Sequence, residues 1–348
     1  MRENNDSSLV KHQSPAKAVA NRTTAPGWSR RSLLAFAAAA AAGSNAWSQS
    51  SWPERSISLV LGFAPGGPND QVARLLAKRL SEQLKQAVVV ENKPGANGNI
   101  AASLVAHAAP DGYTFLYNSS SLALNAALYT KTAIDPLREL VPVNGSAALP
   151  LVCVVADSFP AKNFKEWAAQ LKANPGKFNF GSPGNGNLAH VVVEMVLKAN
   201  GLEAMHAPYK GSSEALQGLL GGSTQFQFDS VNSPLSLIKG GRLRPLFVTS
   251  PSRSPLYPDV MTLKESGTQS IEATAWQGVM APPKTPAAIV QRMAKEIANA
   301  MANEQVKAAL DAQGAYATAS TPEQYTAFVT DQMQRFRKTV NELGLKLD

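Results

Sequence analysis

The chain has 348 residues, of which 44% are hydrophobic and 17% are charged, and it contains 24 glycines, 23 prolines and one cysteine. This length is enough for two ordinary domains with a buried core, and the composition excludes a collagen-like or globally disordered chain. A single cysteine excludes a disulfide framework and a cysteine-based zinc cluster, and four histidines do not favour a multi-histidine metal site. We therefore expect neither a metal nor a cofactor. The net charge of +8 comes partly from residues 1–49, and no basic run interleaved with aromatic residues indicates nucleic-acid binding.

The N-terminal segment has the pattern of an export signal. Arg30 and Arg31 precede an apolar run that ends near Ala42 and is too short to span a bilayer. The residues 46–48, Ala-Trp-Ser, match a small-x-small cleavage site. The arginine pair indicates a twin-arginine signal over residues 1–48, although an ordinary Sec signal remains an alternative. Both routes predict a periplasmic mature chain. No later stretch of the sequence reaches 18 apolar residues, so we expect no membrane anchor after cleavage.

Apolar runs and helical spacings alternate along the mature chain. Strands are predicted at residues 57–63, 87–91, 113–117, 141–147, 151–155, 178–181, 205–207, 225–228 and 245–248. Helices are predicted at residues 68–84, 99–108, 163–173, 187–200, 212–220, 234–239, 285–302, from 303 and from 321. Asn163 with Glu166 and Thr321 with Gln324 have the spacing of capping boxes, and Pro68 suits the first position of a helix. The lone Cys153 lies in the apolar run 150–155 and is predicted to be a core residue.

This alternation predicts an α/β fold built from parallel-sheet units, with two sheets of about 100–120 residues each. Ligands of open α/β sheets bind outside the carboxyl ends of the strands. The loops at this edge are predicted to be residues 65–69, 118–121, 182–187, 209–212 and 229–233.

Two glycine-rich loops at this edge have the character of anion sites. In residues 66–70, Gly-Gly-Pro-Asn-Asp, the glycines allow close approach of a ligand to the backbone, and the free amides of the following helix favour a negative group. Residues 181–187, Gly-Ser-Pro-Gly-Asn-Gly-Asn, repeat this arrangement in the second half of the chain. Both loops also fit a reading as simple strand-to-helix turns.

Other polar loop residues have two interpretations each. Ser119 and Ser120 follow a strand and either bind a ligand or cap a helix. Lys210, next to Tyr209 and Gly211, is either a counter-charge or a solvated lysine. Asp229 ends a strand and either orients loop amides and waters or is a plain turn residue.

Enzyme signatures are weak. Residues 184–189 match G-x-G-x-x-A, but Glu203 precedes the next strand, whereas the ribose-binding acid of a dinucleotide enzyme ends it. Phe180 occupies the place of the first glycine of G-x-S-x-G around Ser182. His190 is predicted to cap or pack rather than to activate Ser182, and the isolated His107 and His206 are predicted to be structural. We therefore expect that the protein is not an enzyme.

The order of several short motifs resembles a known family. These motifs are GFAPGGPND at 62–70, VENKPGA at 90–96, PDGYT at 110–114, FGSPGNG at 180–186, PYKG at 208–211, FD at 228–229, YPDV at 257–260 and WQG at 276–278. Together they resemble the solute-binding proteins of tripartite tricarboxylate transporters, also called the Bordetella uptake gene family, over residues 52–348. The series in this order is specific, whereas each motif alone is not.

The resemblance implies a two-lobed periplasmic Venus-flytrap fold, with each lobe a mostly parallel sheet flanked by helices. It implies a monomer that captures a small carboxylate, either a di- or tricarboxylate or an aromatic acid, and delivers it to a membrane permease. It also implies binding by backbone amides, hydroxyls and ordered waters rather than by an arginine clamp. The implied ligand-binding residues are Phe63, Ala64, Gly66, Gly67, Asn69, Ser119, Ser120, Ser182, Gly184, Asn185, Gly186, Asn187, Tyr209, Gly211 and Asp229. Ala64 and Asn69 stand where proline and threonine are common in the family.

The expected domain arrangement follows the same resemblance. Lobe 1 comprises residues 49–149 and about 275–348, lobe 2 comprises about 150–274, and the ligand cleft lies between them. Two alternatives remain: a carboxylate receptor that docks on a sensor kinase, and a periplasmic hydrolase that uses Ser182 or Ser119. For the binding protein we expect Ser182→Ala to weaken ligand binding with little change in thermal stability.

Overall fold

The computed structural model describes residues 52–129, 134–268 and 271–345. The predicted signal peptide, residues 1–48, lies outside these residues. The strands are β1 (Ile57–Leu61), β2 (Val88–Asn92), β3 (Thr114–Ser119), β4 (Val141–Ala156), β5 (Asn179–Ser182), β6 (Met205–Pro208), β7 (Phe226–Ser230), β8 (Leu243–Val248), β9 (Thr274–Ala281) and β10 (Tyr316–Ala317). The helices are α1 (Pro68–Leu84), α2 (Asn99–Ala106), α3 (Ser120–Leu128), α4 (Phe164–Ala173), α5 (Leu188–Asn200), α6 (Ser212–Leu220), α7 (Leu235–Lys239), α8 (Ala287–Ala302), α9 (Glu304–Asp311) and α10 (Pro322–Leu343).

The strands form two halves in the order β2-β1-β3-β9-β4-β7-β5-β6, and β8 and β10 also pair with β4. The outer strands are parallel: β1 pairs with β2 and β3, and β5 pairs with β6 and β7. All pairs made by β4 and β9 are antiparallel. The α/β class and the two-lobed architecture are thus confirmed, but each sheet is mixed rather than mostly parallel. We call the side with β1–β3, β9 and β10 the first lobe and the side with β5–β8 the second lobe.

Strand β4 joins the two lobes. The two predicted runs, 141–147 and 151–155, form one strand of 16 residues. Its register pairs Val141 through Pro150 with β9, and from Leu151 onward it pairs with β7 and β8. Pro150 has no N–H to donate to a ladder, and it stands where the strand changes partners. Its carbonyl accepts from Val231 N–H, and the next amide, Leu151 N–H, donates to the hydroxyl of Thr249.

Each lobe has its own apolar core. In the first lobe, β1, β3 and β9 pack against α1 and α8. In the second lobe, fully buried Trp167 of α4 lies at the centre of an aromatic cluster, with ring centroids 5.1 Å from Phe226 and 5.5 Å from Phe247. Edge-to-face aromatic contacts of this kind add stability beyond the area they bury. Cys153 is fully buried in this core, as predicted, and its burial raises the pKa of the thiol.

Local sequence signals set several helix ends as predicted. Pro68 occupies the first turn of α1, and Gly201 ends α5 in the left-handed conformation. Asn163 accepts from the amide of Glu166 at the start of α4. Thr321 and Gln324 form a complete capping box at the start of α10. Among the described residues, no helix is both long enough and apolar enough to cross a membrane.

Candidate functional site

A cavity of about 260 Å³ lies between the lobes, at the carboxyl ends of β1, β3, β5, β6 and β7. Each of the five loops that the sequence analysis placed at this edge contributes to its wall. This position is where open α/β folds bind ligands. The lining residues are Phe63, Ala64, Pro65, Gly67, Pro68, Asn69, Ser119, Ser120, Ser121, Leu151, Pro183, Asn187, Leu188, Ala189, Lys210, Gly211, Ser212, Ser213, Glu214, Asp229, Ser230 and Ala275.

Four helices begin at this cavity: α1 and α3 from the first lobe, and α5 and α6 from the second. Ser119 and Asn187 cap α3 and α5 with their own side chains, which accept from Ser121 N–H at 3.3 Å and Ala189 N–H at 3.0 Å. The caps of α1 and α6 are Gly67 and Gly211, which bring no side-chain cap. First-turn amides of α1 and α6 are therefore left to bind an external acceptor. The dipoles of all four helices favour a negative group at the same place.

A hydrogen-bond chain orients Asn69 in the first turn of α1. Gln277 of β9 donates from its side-chain nitrogen to Oδ1 of Asn69 at 2.7 Å. Tyr117 donates its hydroxyl to Oε1 of Gln277 at 2.7 Å, and Ser146 is 3.0 Å from the same hydroxyl. Because Oδ1 of Asn69 is already used as an acceptor, the side chain has its Nδ2 donor left for the cavity it lines.

Asp229 is a nearly fully buried carboxylate in the wall of the second lobe. Its Oδ1 accepts from the hydroxyl of Ser212 at 2.9 Å and from the amide of Ser230 at 2.8 Å, and its Oδ2 accepts from Gln227 at 2.6 Å. Burial raises the pKa of Asp229 to about 6, although these hydrogen bonds act in the opposite direction. This carboxyl is thus placed to gain or lose a proton near neutral pH.

The structure places nine of the fifteen sequence-predicted residues on the cavity wall. They are Phe63, Ala64, Gly67, Asn69, Ser119, Ser120, Asn187, Gly211 and Asp229. The other six do not line the cavity: Gly66, Ser182, Gly184, Asn185, Gly186 and Tyr209. Gly66 still shapes the first loop, because its amide donates to Asp70 at 3.0 Å.

Ser182 lies beneath the second glycine-rich loop and is fully buried. Its hydroxyl contacts Nε2 of His206 at 2.6 Å and donates to the carbonyl of Gly184 at 3.1 Å. The ring of His206 stacks on that of His190 with centroids 3.8 Å apart. Burial lowers the pKa of His206 to about 4; burial and the neighbouring His206 lower that of His190 to about 3. Both rings are therefore neutral at physiological pH, and this cluster holds the loop from below.

Several wall residues were not predicted. Ser121, Ser212 and Ser230 each adjoin a predicted residue at a helix start or a strand end, and Ser213 follows Ser212. The serines beside the predicted residues were therefore the signal that sequence reasoning missed. Leu151, Leu188 and Ala275 bring apolar surface from distant parts of the chain. Within the three described ranges, no cluster of three or more His, Cys, Asp or Glu side chains has the arrangement of a metal site.

Comparisons with known proteins identify relatives that match most of this chain. The sequence profile of the tripartite tricarboxylate transporter family receptor matches residues 72–345. Protein BugT of Bordetella pertussis is 36% identical over 302 residues, which are 86% of this chain and 93% of BugT.

Two solved structures share the fold closely. The periplasmic binding protein BugD is 32% identical with a TM-score of 0.81, covering 85% of this chain and 99% of BugD. Rpa4515 of R. palustris, solved with adipate, is 31% identical with a TM-score of 0.82, covering 85% of this chain and 99% of that protein. Because the family profile covers most of the sequence and these relatives are 31–36% identical over 85–86% of it, the chain belongs to the tripartite tricarboxylate transporter receptor family.

Proposed function

We propose that this protein is a periplasmic receptor that captures a small carboxylate in the cleft between its lobes and delivers it to a tripartite tricarboxylate-type membrane permease. The observation that carries the proposal is the convergence of four helix N-termini on one cavity, two of them at glycine caps. Free amides and helix dipoles bind anions without a cationic side chain. Rpa4515, solved with adipate, supports a carboxylate as the anion.

The size of the cavity suits a small ligand. Its volume of about 260 Å³ is just below the range of about 300–1,000 Å³ usual for ligand pockets. Desolvating a carboxylate is costly unless its oxygens find donors, and the wall offers amides, the Nδ2 group of Asn69 and serine hydroxyls. Ordered waters complete such a shell where a direct donor is out of reach.

Capture works by a shift of populations between open and closed forms. A carboxylate that contacts amides of both lobes binds the closed form better than the open one, and so stabilises closure. The proposed lobes are residues 49–149 with about 275–348, and about 150–274. The proposed location rests on the leader pattern of residues 1–48 and on the periplasmic relative BugD.

Hydrolysis is not the function the geometry favours. Ser182 is fully buried, bonded to His206 and absent from the cavity wall. Ser119 accepts from the amide of Ser121 as a helix cap, and no histidine lines the cavity among the described residues. A serine nucleophile needs a base within hydrogen-bond reach on the substrate side, and neither serine has one there.

The direct test is a binding screen of mature protein, residues 49–348, against mono-, di- and tricarboxylates and aromatic acids. Saturation at about 100 times Kd adds roughly 2.7 kcal/mol to the free energy of unfolding, which raises Tm measurably. Titration calorimetry of each hit gives Kd and stoichiometry. Failure of every carboxylate to raise Tm or give a binding isotherm would overturn the proposal.

A matched pair of variants tests whether the ligand is the anion of the helix N-termini. Ser213 is exposed, lines the cavity and occupies the first turn of α6. Ser213→Asp places a negative charge where the helix dipole favours it, so folding is retained, but this charge repels a bound carboxylate. Ser213→Asn has nearly the same shape without the charge. We expect binding to be lost in the aspartate variant and largely kept in the asparagine variant. Equal affinity in both would place the carboxylate elsewhere.

Delivery to a permease is tested separately in the bacterium that carries the gene. Deletion should abolish uptake of the labelled ligand identified in the screen, and the wild-type gene should restore it. Uptake that persists after deletion, together with a lost transcriptional response to the ligand, would favour the receptor of a sensor kinase.

A further inference from the structure

The loop of residues 95–98, between β2 and α2, packs against the cavity wall of the first lobe. A Cβ atom at Gly62 would lie 2.6 Å from the Cα of Gly98, so the two segments are in direct backbone contact. A Cβ atom at Gly98 would in turn lie 3.8 Å from the ring of Phe63, which lines the cavity. The loop is thus part of the structure that holds the first lobe's side of the cleft.

The backbone of this loop is unusual. Four successive residues have positive φ: Gly95 at 133°, Ala96 at 46°, Asn97 at 50° and Gly98 at 91°. Glycine adopts this region freely and asparagine tolerates it, whereas alanine is strained there. Residues kept in sparsely populated conformations persist where the surrounding contacts fix them and cluster at functional positions.

The side chain of Asn97 has both of its amide hydrogens engaged. Nδ2 of Asn97 donates to Oδ1 of Asn125 at 2.9 Å and to the carbonyl of Gly186 at 2.9 Å. Asn125, which is fully buried, in turn donates from its Nδ2 to the carbonyl of Asn97 and to Oδ1 of Asn99. Because Nδ2 of Asn125 is used in these bonds, its Oδ1 must be the acceptor. This network fixes the orientation of the Asn97 amide and leaves its second hydrogen for Gly186.

The bond from Asn97 to Gly186 crosses the cleft. Asn97 follows β2 of the first lobe, whereas Gly186 belongs to the glycine-rich loop that follows β5 of the second lobe. The amide of Gly186 donates to Nδ1 of His190 at 3.2 Å, so both the N–H and the carbonyl of Gly186 are hydrogen-bonded. The next residue, Asn187, caps α5 and lines the cavity.

We infer that Asn97 is a cleft latch, meaning a residue whose hydrogen bond across the cleft stabilises the closed form. The hydrogen bond from its side-chain amide to the Gly186 carbonyl thereby sets the affinity and residence time of the ligand. The inference rests on the proposed function, since a latch matters for capture only if the cleft closes on a ligand. The bond is made without any ligand atom, so it contributes equally for every ligand that allows closure. Asn97 is therefore a positioning residue and need not contact the carboxylate.

Asn97→Gly is the informative variant because glycine keeps the left-handed backbone while removing the amide. A single hydrogen bond changes an equilibrium by about fivefold, with a range of about two- to twelvefold. We expect the variant to bind its carboxylate about fivefold more weakly, mainly through faster dissociation. Ala96→Gly is the matched control: Ala96 is exposed, has the same left-handed backbone and should bind like the wild type. In Asn97→Asp, a carboxylate without donor hydrogens faces two acceptors, Oδ1 of Asn125 and the carbonyl of Gly186. This variant should bind the ligand more weakly still.

A second measurement tests the latch without any ligand. Spin labels on Lys78→Cys in α1 and Gln217→Cys in α6, both exposed, report the separation of two helices that begin at the cavity. The native Cys153 is fully buried and should not react. In the ligand-free protein, Asn97→Gly should shift the distance distribution toward longer values, and Ala96→Gly should not.

The two readouts separate the latch from the proposed function. If no carboxylate binds the wild type, the proposed function fails, while the ligand-free distances still support or overturn the latch. Distances and dissociation rates in Asn97→Gly that equal those of Ala96→Gly would overturn the latch, whatever the ligand. Weaker binding with unchanged distances would also overturn it, because Asn97 would then act on the ligand directly.

Discussion

Asp229→Asn is the substitution whose consequences the structure defines most fully. The folded protein holds the pKa of Asp229 at about 6, against an ordinary value of 3.8, because the carboxyl is fully buried. When folding raises the pKa of a carboxyl, the stability it contributes is fully present at pH values below its pKa in the unfolded chain. This stability is lost as pH rises through its pKa in the folded protein. Each pH unit between the two values corresponds to about 1.36 kcal/mol, so ionised Asp229 costs about 3 kcal/mol at pH 8. Replacement by neutral asparagine should remove this cost.

The assay is urea unfolding of wild type and Asp229→Asn at pH 4 and pH 8. Other groups titrate equally in both proteins, so the comparison isolates the carboxyl. We expect the free energy of unfolding of the variant to exceed that of wild type by about 2.4 kcal/mol more at pH 8 than at pH 4, because about 0.6 kcal/mol of the cost is already present at pH 4. The asparagine retains an oxygen for Ser212 and Ser230, which keeps the hydrogen bonds of Oδ1. The same relative stability at both pH values would refute the reasoning.

The same proton should be linked to ligand binding. An ionised Asp229 in the wall repels a carboxylate in the cavity, whereas the protonated form does not. Wild-type affinity should therefore fall as pH rises above about 6, by at most about tenfold per pH unit. Asp229→Asn should show a flat profile and bind at least as tightly as wild type at pH 8. If the variant binds more weakly at pH 8, the ligand carries a cationic group that pairs with Asp229, and the repulsion argument is wrong.

Three further substitutions have definite expected outcomes. Ser182→Ala should lower the free energy of unfolding by about 1–2 kcal/mol, because it leaves His206 without its 2.6 Å partner; an unchanged urea midpoint would contradict this. Gln277→Ala removes the hydrogen bond that orients Asn69 and should weaken carboxylate binding about fivefold. In a double-mutant cycle with Asn69→Ala, the two effects on affinity should be non-additive. Additive effects would show that the two residues act independently. Lys85→Gly should raise stability by about 1 kcal/mol in urea unfolding, because Lys85 ends α1 in the left-handed conformation that glycine prefers; no gain would contradict that strain.

Local chemistry made much of the fold predictable. Helix starts at Asn163 and Thr321 depend on a side chain and an amide three residues away, so the sequence contains the whole interaction. The edge of the sheet that carries the cavity followed from the alternation of strands and helices alone. All five loops assigned to that edge reach the cavity wall for this reason.

Long-range pairing was not predictable in the same way. Strand β9 lies between β3 and β4, and its register with Leu116 and Val141 depends on contacts more than a hundred residues apart in the sequence. No local signal marks that position, and β9 was identified only as a short motif at Trp276. Likewise, the sequence pattern predicted two separate strands at residues 141–147 and 151–155, whereas they form one strand that exchanges one set of partners for another at Pro150.

The position of Ser182 shows why a loop motif does not give side-chain roles. Ser182 is the last residue of β5 and pairs with Pro208 of β6. Side chains alternate between the two faces of a strand, so a shift of one residue decides between the cavity and the sheet interior. The hydroxyl faces His206, and the loop's cavity contacts come from Pro183 and Asn187 instead. The earlier expectation for Ser182→Ala is therefore replaced by an effect on stability.

Neutral donors have a consequence for how the proposed receptor selects and releases its ligand. Among the described residues, the ionisable side chains that line the cavity are Lys210, Glu214 and Asp229, so the wall itself supplies no excess of positive charge. Attraction to a carboxylate then comes from first-turn amides, whose field falls off within a turn of the helix. Such donors act only when the ligand is seated and both lobes meet it, which makes affinity depend on closure. Opening the cleft withdraws half of the donors at once, because α1 belongs to one lobe and α6 to the other. Binding that depends on closure is reversible by any partner that favours the open form, as the proposed delivery to a permease would require.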